Sequence, residues 1–455
     1  MAIAIQIIAV FFVSALLIFL LYKGWSPILT PILMAALLFL ISGQNVMEAL
    51  SGTFLNGFIQ IVPMFMLFLI VGSIMGSLIA QSGAAQTIAD TLFTVFAQKR
   101  DGKGRVVISG VIAMVVCFLC CYGGLNTFCS IFTLLPIVMM LAQKADIPRR
   151  LVPALMFAGI STANLGPGSP LPANQMGTAM YQVSLTAAPV LGVIGMVAVF
   201  VLILWYIYRS CGKAYDKGER FEMGTYRMPP LRDKEDRPNF ILSVIPFLGV
   251  FISLIFFHLS TELSLSIGVV LCIICFTPYV YKHAQKTEPE QKPMIIVGKT
   301  LVACLTEGSQ NGANSFMIVA MAAAFTAAIG ASQGMEAIMG WLISLPIPLI
   351  IVYSIAVIVF AFISGAPGCM LILAPVFVPL AAQMGISAAG MMRIAVFGQS
   401  VLDTLPNNGA IIVTLGIAGI KMKDGYPGIF KTTVIYMFIG TVIVTVLAML
   451  FPGLA

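Results

Sequence analysis

An all-α polytopic membrane protein made of two inverted-topology repeats is the architecture this chain encodes, and three observations point to it. Of 455 residues, 60% are hydrophobic and only 9% charged, with a mean hydropathy of +1.04, too apolar for a water-soluble globule. The apolar residues fall in runs near or above the length that crosses a bilayer. The second half also repeats the first. With a shift of 239 residues, Pro136 meets Pro375, Gly159 meets Gly398, Ser161 meets Ser400 and Pro167 meets Pro406.

Residues 2–22 lack a basic n-region and a small-residue cleavage site, so they read as the first span and not a leader. Spans follow over 26–42 and 54–80. Lys99, Arg100, Lys103 and Arg105 precede the next apolar stretch, and Lys144, Arg149 and Arg150 follow it. The positive-inside rule puts both flanks in the cytoplasm, so the stretch between them enters and returns. Its arms, 106–121 and 129–143, are short and its turn, GGLNTF (123–128), is uncharged. A re-entrant hairpin is expected, since such backbone is tolerated where protein or a water-filled cavity satisfies its amides. A broken span over 150–183 and a span over 184–208 complete the first repeat.

Residues 209–238 carry eight Lys and Arg and read as a charged, loop-like cytoplasmic linker. The second repeat, 239–455, mirrors the order of the first. Its hairpin arms, 346–362 and 369–383, have no Lys or Arg at their flanks, so this hairpin opens from outside and the repeats are inverted. Five spanning segments per repeat, one of them broken, plus a hairpin each, give about ten crossings and two hairpins in all. The domains are then 1–208, 209–238 and 239–455, with both termini outside. The net charge of +7 follows from membrane orientation and excludes no lipid contact, but it gives no reason to expect nucleic acid.

Two polar interruptions carry the functional reading. TANLGPGSPLPAN (162–174) breaks the fourth span and LDTLPNNGA (402–410) breaks its counterpart. Pro removes helix hydrogen bonds and Gly permits positive φ, so neither stretch stays helical. A break frees carbonyls and exposes half-helix ends. The N–H ends suit an anion, and oxygens of Asn, Ser and Thr suit a cation or a proton-bearing network. The hairpin tips, GGLNTF and SGAPG (364–368), are expected to face the breaks. Candidate substrate-binding residues are therefore Asn126, Thr127, Ser161, Asn164, Ser169, Asn174, Ser364, Gly365, Ser400, Thr404, Asn407 and Asn408.

Asp403 is the ionisable group in the second break and the first choice for the coupling ion, because an unpaired carboxylate at that depth is costly unless protonated, ion-bound or hydrogen-bonded. Its counterpart is Asn164. Glu307, at the inner end of a span beginning near Leu305, is a weaker coupling candidate. Arg393 alone departs from the positive-inside pattern and reads as a snorkelling interfacial anchor. The CxxC spacings Cys117/Cys120 and Cys272/Cys275 lie in lipid-length runs without His, so they read as buried hydrophobes, and neither a metal nor a cofactor is expected.

An enzyme is not expected. An intramembrane protease needs a second membrane Asp, an HExxH motif or a Ser/His pair, and none is evident. Two polar breaks facing two hairpins favour an occludable site over an open channel. What remains is a secondary transporter.

GQSVLDTLPNNGAIIVTLGIAGIKMKDGYPGIF (398–430), with GSQNGANSFMIVAMAAAFTAAIGASQGMEAIMGWL (308–342), resembles the gluconate and 3-hydroxybutyrate permeases of the GntP type, within the wider ion-transporter superfamily. The Asp-Thr-Leu-Pro-x-Asn-Gly pattern at 403–409 is its most specific piece. The resemblance implies proton symport of a small organic acid anion across a bacterial inner membrane. The superfamily implies a homodimer with a fixed scaffold and a mobile elevator body. His commonly stands in this pattern where the chain has Asn407, so a His-dependent role is not carried over. The alternatives are sodium-coupled symport of di- or tricarboxylates and sodium/proton antiport without an organic substrate.

Overall fold

The computed structural model describes residues 2–125, 127–224, 232–287, 292–364, 366–406 and 408–454. The first half supplies α1 (Ala2–Tyr22), α2 (Leu29–Ile41), α3 (Val46–Ser82), α4 (Ala84–Phe96), α5 (Gly102–Tyr122), α6 (Thr127–Ala145), α7 (Val152–Leu165), α8 (Pro172–Tyr181) and α9 (Pro189–Asp216). The second half supplies α10 (Phe240–Ile255), α11 (Thr261–Thr287), α12 (Pro293–Gly330), α13 (Gln333–Ile343), α14 (Leu349–Ser364), α15 (Ala366–Gln383), α16 (Ala388–Val401), α17 (Gly409–Ala418) and α18 (Met422–Leu450). Each helix of the first half thus has a counterpart nine places on, as the internal repeat requires.

Packing obeys the same pairing. α1 lies on α13 and α10 on α4; α2 lies on α12 and α11 on α3; α7 lies on α5 and α16 on α14. The most extensive helix pair, α3 with α12, runs antiparallel. Small residues set that contact, since bilayer helices associate by close backbone packing and not by hydrophobic exclusion. A Cβ at Gly308 would stand 2.5 Å from Ile74 Cα, and one at Gly312 would stand 2.5 Å from Ile70 Cα. Gly57 sits correspondingly against Ala323 and Ala324, a Cβ there lying 3.1 Å from Ala324 Cα.

The helices divide into two bodies. One contains α1–α4 and α10–α13; the other contains the hairpins, the broken helices, α9 and α18. They meet where the second arm of each hairpin crosses the long helix of its own repeat, α6 on α3 and α15 on α12, and where α4 lies against α5 and α6.

Ion pairs tie the basic segments to one face. Lys103 meets Asp216 at 2.6 Å, Arg150 meets Glu219 at 2.6 Å, and Asp90 receives both Lys144 at 2.8 Å and Arg237 at 2.7 Å. Lys286 joins Asp236 at 2.8 Å.

Three details depart from the sequence reading. α9 continues to Asp216, so the charged segment begins as helix, because Cys211, Gly212 and Ala214 extend beyond residue 208 the face that Tyr206 and Ile207 bury. α12 starts at Pro293 and not near Leu305, which places Glu307 well inside a 38-residue helix. The helices α4 and α13 follow the long spans. They are too short and too amphipathic to register as crossings, α4 burying Ala84, Ala85, Ile88, Ala89 and Phe93 on one face.

Candidate functional site: two pinned helix breaks

The first break separates α7 from α8. Gly166 is extended (φ −68°, ψ 137°) where α7 ends, and Pro172 stands in the first turn of α8, where its missing N–H costs nothing. Between them Gly168 has φ +82°. Its N–H donates to Leu185 O at 3.1 Å, and an added Cβ would lie 2.6 Å from Ile255 Cδ1. The positive φ favours glycine, and the Ile255 side chain closes over the space a Cβ would take. The Tyr122 hydroxyl, from the end of α5, donates to Pro167 O at 2.5 Å, so the first hairpin is tied to the break of its own repeat.

The second break separates α16 from α17. Asn408 is extended (φ −66°, ψ 125°) and caps α17, its Oδ1 accepting from the Ala410 N–H at 2.8 Å. Thr404 is buried and hydrogen-bonded through its hydroxyl to Thr433. Tyr426 donates to Thr404 O at 3.2 Å. Pro406 prevents continuation of α16 in the same way that Pro167 stops α7.

The two breaks are fastened alike. Asn174 Nδ2 donates to Asn164 O at 2.6 Å, and Asn408 Nδ2 donates to Asp403 O at 2.7 Å. Asn164 and Asp403 are the residues that the 239-residue shift superposes. In each repeat, an asparagine at the start of the second half-helix holds the backbone carbonyl at this position, which a continuous helix would have bonded internally.

The breaks differ in charge. Asp403 is exposed, and its carboxylate is engaged by no hydrogen bond or ion pair among the described residues. Behind the first break stands Arg393, from the other repeat. It is fully buried. Nε donates to Ala187 O at 2.6 Å, Nη1 to Asn174 Oδ1 at 2.7 Å and Nη2 to Leu185 O at 2.7 Å. This corrects the reading of Arg393 as an interfacial anchor. Carbonyls and an amide, not water, supply its polar shell, and no carboxylate is within ion-pair distance among the described residues.

The other candidates fall as follows. Ser161 is half-buried on α7, and Ser400 is buried and donates to Val396 O at 2.8 Å. Ser169 is buried, and neither its hydroxyl nor the buried Asn164 Oδ1 has a hydrogen-bond partner among the described residues. Thr127 begins α6 and is half-buried. Ser364 ends α14. Asn126, Gly365 and Asn407 lie outside the described residues. Glu307 is exposed on α12, in the other body, with no ion pair among the described residues. The arms of the hairpins reach across the repeats, α6 packing on α17 and α15 on α8. Sequence reasoning did not find Tyr122, Tyr426 or Thr433. It misread Arg393, although a lone basic residue against the charge pattern was the available signal.

Inverted repeats, discontinuous helices and hairpins together define a membrane transporter. The GntP family permease profile matches residues 2–272, more than half of the chain, and the chain belongs to that family. It is 23% identical to the uncharacterized transporter YxjC of Bacillus subtilis (strain 168), over 94% of this chain and 96% of that one. Among solved structures it resembles the YdaH transporter of Alcanivorax borkumensis, described as having an unusual topology, with a TM-score of 0.54 and 17% identity over 90% of this chain and 89% of that chain. That likeness concerns the fold.

Proposed function

We propose that the chain is a secondary active importer of a small organic acid anion, such as gluconate or 3-hydroxybutyrate, driven by proton symport across a bacterial inner membrane. One observation carries the reading: the two symmetry-related breaks hold opposite charges, a fixed guanidinium behind the first and an accessible carboxylate in the second. A cation with no carboxylate partner favours an anion nearby, and an intramembrane carboxylate with no partner favours a proton. The anion sits between the breaks and the hairpin tips, bound by Asn and Ser/Thr groups and the free N–H ends of α8 and α17. Asp403 exchanges the proton.

The division into two bodies supports an elevator motion, with α1–α4 and α10–α13 as the scaffold of a homodimer. Both chain ends then lie outside and the basic face is cytoplasmic. The test is uptake into proteoliposomes of gluconate, 3-hydroxybutyrate, lactate, succinate or citrate, with a proton or a sodium gradient imposed separately. Asp403→Asn is expected to fold, bind substrate and fail to accumulate it. Full proton-driven accumulation by that variant overturns the role.

Sodium coupling has one observation in its favour. Asn164 Oδ1 and Ser169 Oγ are buried oxygens without hydrogen-bond partners among the described residues, the donor type that a sodium ion takes. Strict sodium dependence of uptake selects that reading.

A further inference from the structure

A cavity of about 180 Å³ opens on the basic face, and none of its lining residues belongs to either break. Four cations line it, Arg150, Lys213, Lys217 and Lys431, against two carboxylates, Glu219 and Asp424. Glu219 is already committed, receiving Arg150 Nη2 at 2.6 Å and Nε at 2.9 Å. The three lysines make no ion pair among the described residues. The cavity therefore carries a surplus of positive charge that the protein does not neutralise.

The site is built and not merely a cluster of surface lysines. Tyr206, Ser210, Lys213, Ala214 and Lys217 recur at helical spacing along one face of α9. Tyr206 is buried at its floor. Gly428 keeps that floor open, since a Cβ there would stand 2.5 Å from Tyr206 Oη and 2.8 Å from Ala154 Cβ. Lys431 begins a π-helical turn, Lys431–Ile435, the kind of local widening of the helix that recurs at functional sites.

Its depth is also informative. On the adjoining face of α9, Trp205 and Tyr208 are exposed and Arg209 stacks 4.4 Å over the Trp205 ring. Such residues mark the level where acyl chains meet headgroups. Ser210 and Lys213 lie about one to two turns beyond that level, at 1.5 Å per residue, which is where lipid phosphates sit.

We infer that this cavity binds a phosphate group, presented by an anionic lipid headgroup of the basic-face leaflet. Three ammonium groups and two hydroxyls can surround a tetrahedral oxyanion from several sides, and basic pockets between membrane helices on the cytoplasmic side are known to take headgroups. Occupancy would bridge α9, α18 and the 3-10 turn Arg149–Leu151 that leads into α7 and holds Arg150. The inference does not depend on the transported substrate.

The experiment measures lipid retention by native mass spectrometry, and melting temperature, for protein in phosphatidylcholine nanodiscs with and without phosphatidylglycerol. Parallel arms in neutral detergent add inorganic phosphate or glycerol 3-phosphate. Wild-type protein is expected to retain phosphatidylglycerol selectively and melt higher with it. The triple variant Lys213→Gln, Lys217→Gln, Lys431→Gln should lose that affinity about tenfold or more, since each nearby cation contributes roughly 1 kcal/mol to anionic-lipid attraction. The triple Lys→Arg variant keeps the charge and should keep the binding, which separates charge loss from misfolding. Gly428→Ala should weaken binding with no change in charge. Charge-dependent protection by the soluble phosphates but not by phosphatidylglycerol overturns the lipid source. Equal phosphatidylglycerol retention by wild type and the triple Gln variant overturns the site.

Discussion

Arg393 Nη1 and Asn174 Oδ1 are 2.7 Å apart, and through this contact the second repeat holds the break of the first. Asn174 passes the constraint on, since its Nδ2 donates to Asn164 O. Arg393 also gathers Leu185 and Ala187, in the connection that leads to α9. One buried guanidinium thus fixes both ends of α8. Replacing it with Met leaves two acceptors, Ala187 O and Asn174 Oδ1, without that donor, each costing about 1–3 kcal/mol when buried, while Leu185 O keeps the Gly168 N–H. Arg393→Met is expected to lower the melting temperature in detergent sharply. Arg393→Lys should recover only part of the loss, because an ammonium cannot reproduce a planar fork. In a double-mutant cycle, Arg393→Met with Asn174→Leu should show a coupling of about 1–3 kcal/mol, and additivity would show that the two side chains act independently.

Asn408 performs for the second break what Asn174 performs for the first, but it lies at the edge of the break and not against a buried cation. Asn408→Ala removes both the α17 cap and the bond to Asp403 O. The expected loss of stability is about 1–2 kcal/mol. Under the proposed function, uptake should suffer more than stability, because the carbonyl and carboxylate of Asp403 are both displaced. Initial rates should fall at least tenfold while the melting temperature moves by a few degrees. Loss of stability with unchanged uptake would make the contact purely structural.

Much of this site was legible in the sequence because it is written in backbone chemistry. Pro167, Gly168, Pro172 and Pro406 state where helix must stop, and the repeat shift pairs the stops. Asp403 is legible because few charges lie in apolar segments. Asn174 is legible as a polar group in a break, and the structure engages both ends of its side chain with protein. Arg393 was misread because the sequence carries no sign of the carbonyls that Leu185 and Ala187 turn toward it. Those carbonyls become available through backbone geometry around Gln182 and Ala188, both non-glycine residues at positive φ, which no residue preference announces. The helices α4 and α13 escaped notice since crossing length is a signal for spans and not for short amphipathic segments.

Asp90 joins the two bodies at the basic face. It belongs to α4, yet it pairs with Lys144 at the end of α6 as well as with Arg237. The partly exposed Lys144 pair contributes about 0–1 kcal/mol, whereas the Arg237 side chain is nearly buried against Asp90, so Asp90→Asn should lower the melting temperature more than Lys144→Gln does. If the hairpin body moves against the scaffold, the Lys144 pair breaks in every cycle. Lys144→Gln is then expected to raise the exchange rate by up to about fivefold, the equivalent of 1 kcal/mol, and to flatten its dependence on ionic strength. A salt dependence identical to wild type would show that this contact persists throughout the cycle.

The scaffold itself rests on how closely α3 approaches α12, and glycine substitutions separate that cause from helix propensity. Gly312 and Gly298 both lie in α12. At Gly298 an added Cβ meets nothing within 4 Å, whereas at Gly312 it meets Ile70 Cα at 2.5 Å and Leu69 O at 2.7 Å. These are backbone atoms, so no side-chain rotation relieves the contact and the two helices must separate. Gly298→Ala should be neutral or stabilising by about 0.5–1 kcal/mol through helix propensity alone. Gly312→Ala gains the same propensity but must overcome the clash, and Gly312→Leu more so. Overpacking of this kind costs about 1–3 kcal/mol, enough to reverse the sign. Thermal melting of the three variants in one detergent measures the difference directly. If Gly312→Ala melts with or above Gly298→Ala, then the α3–α12 contact is not what fixes the scaffold, and the pair Gly308 and Gly312 serves some other end.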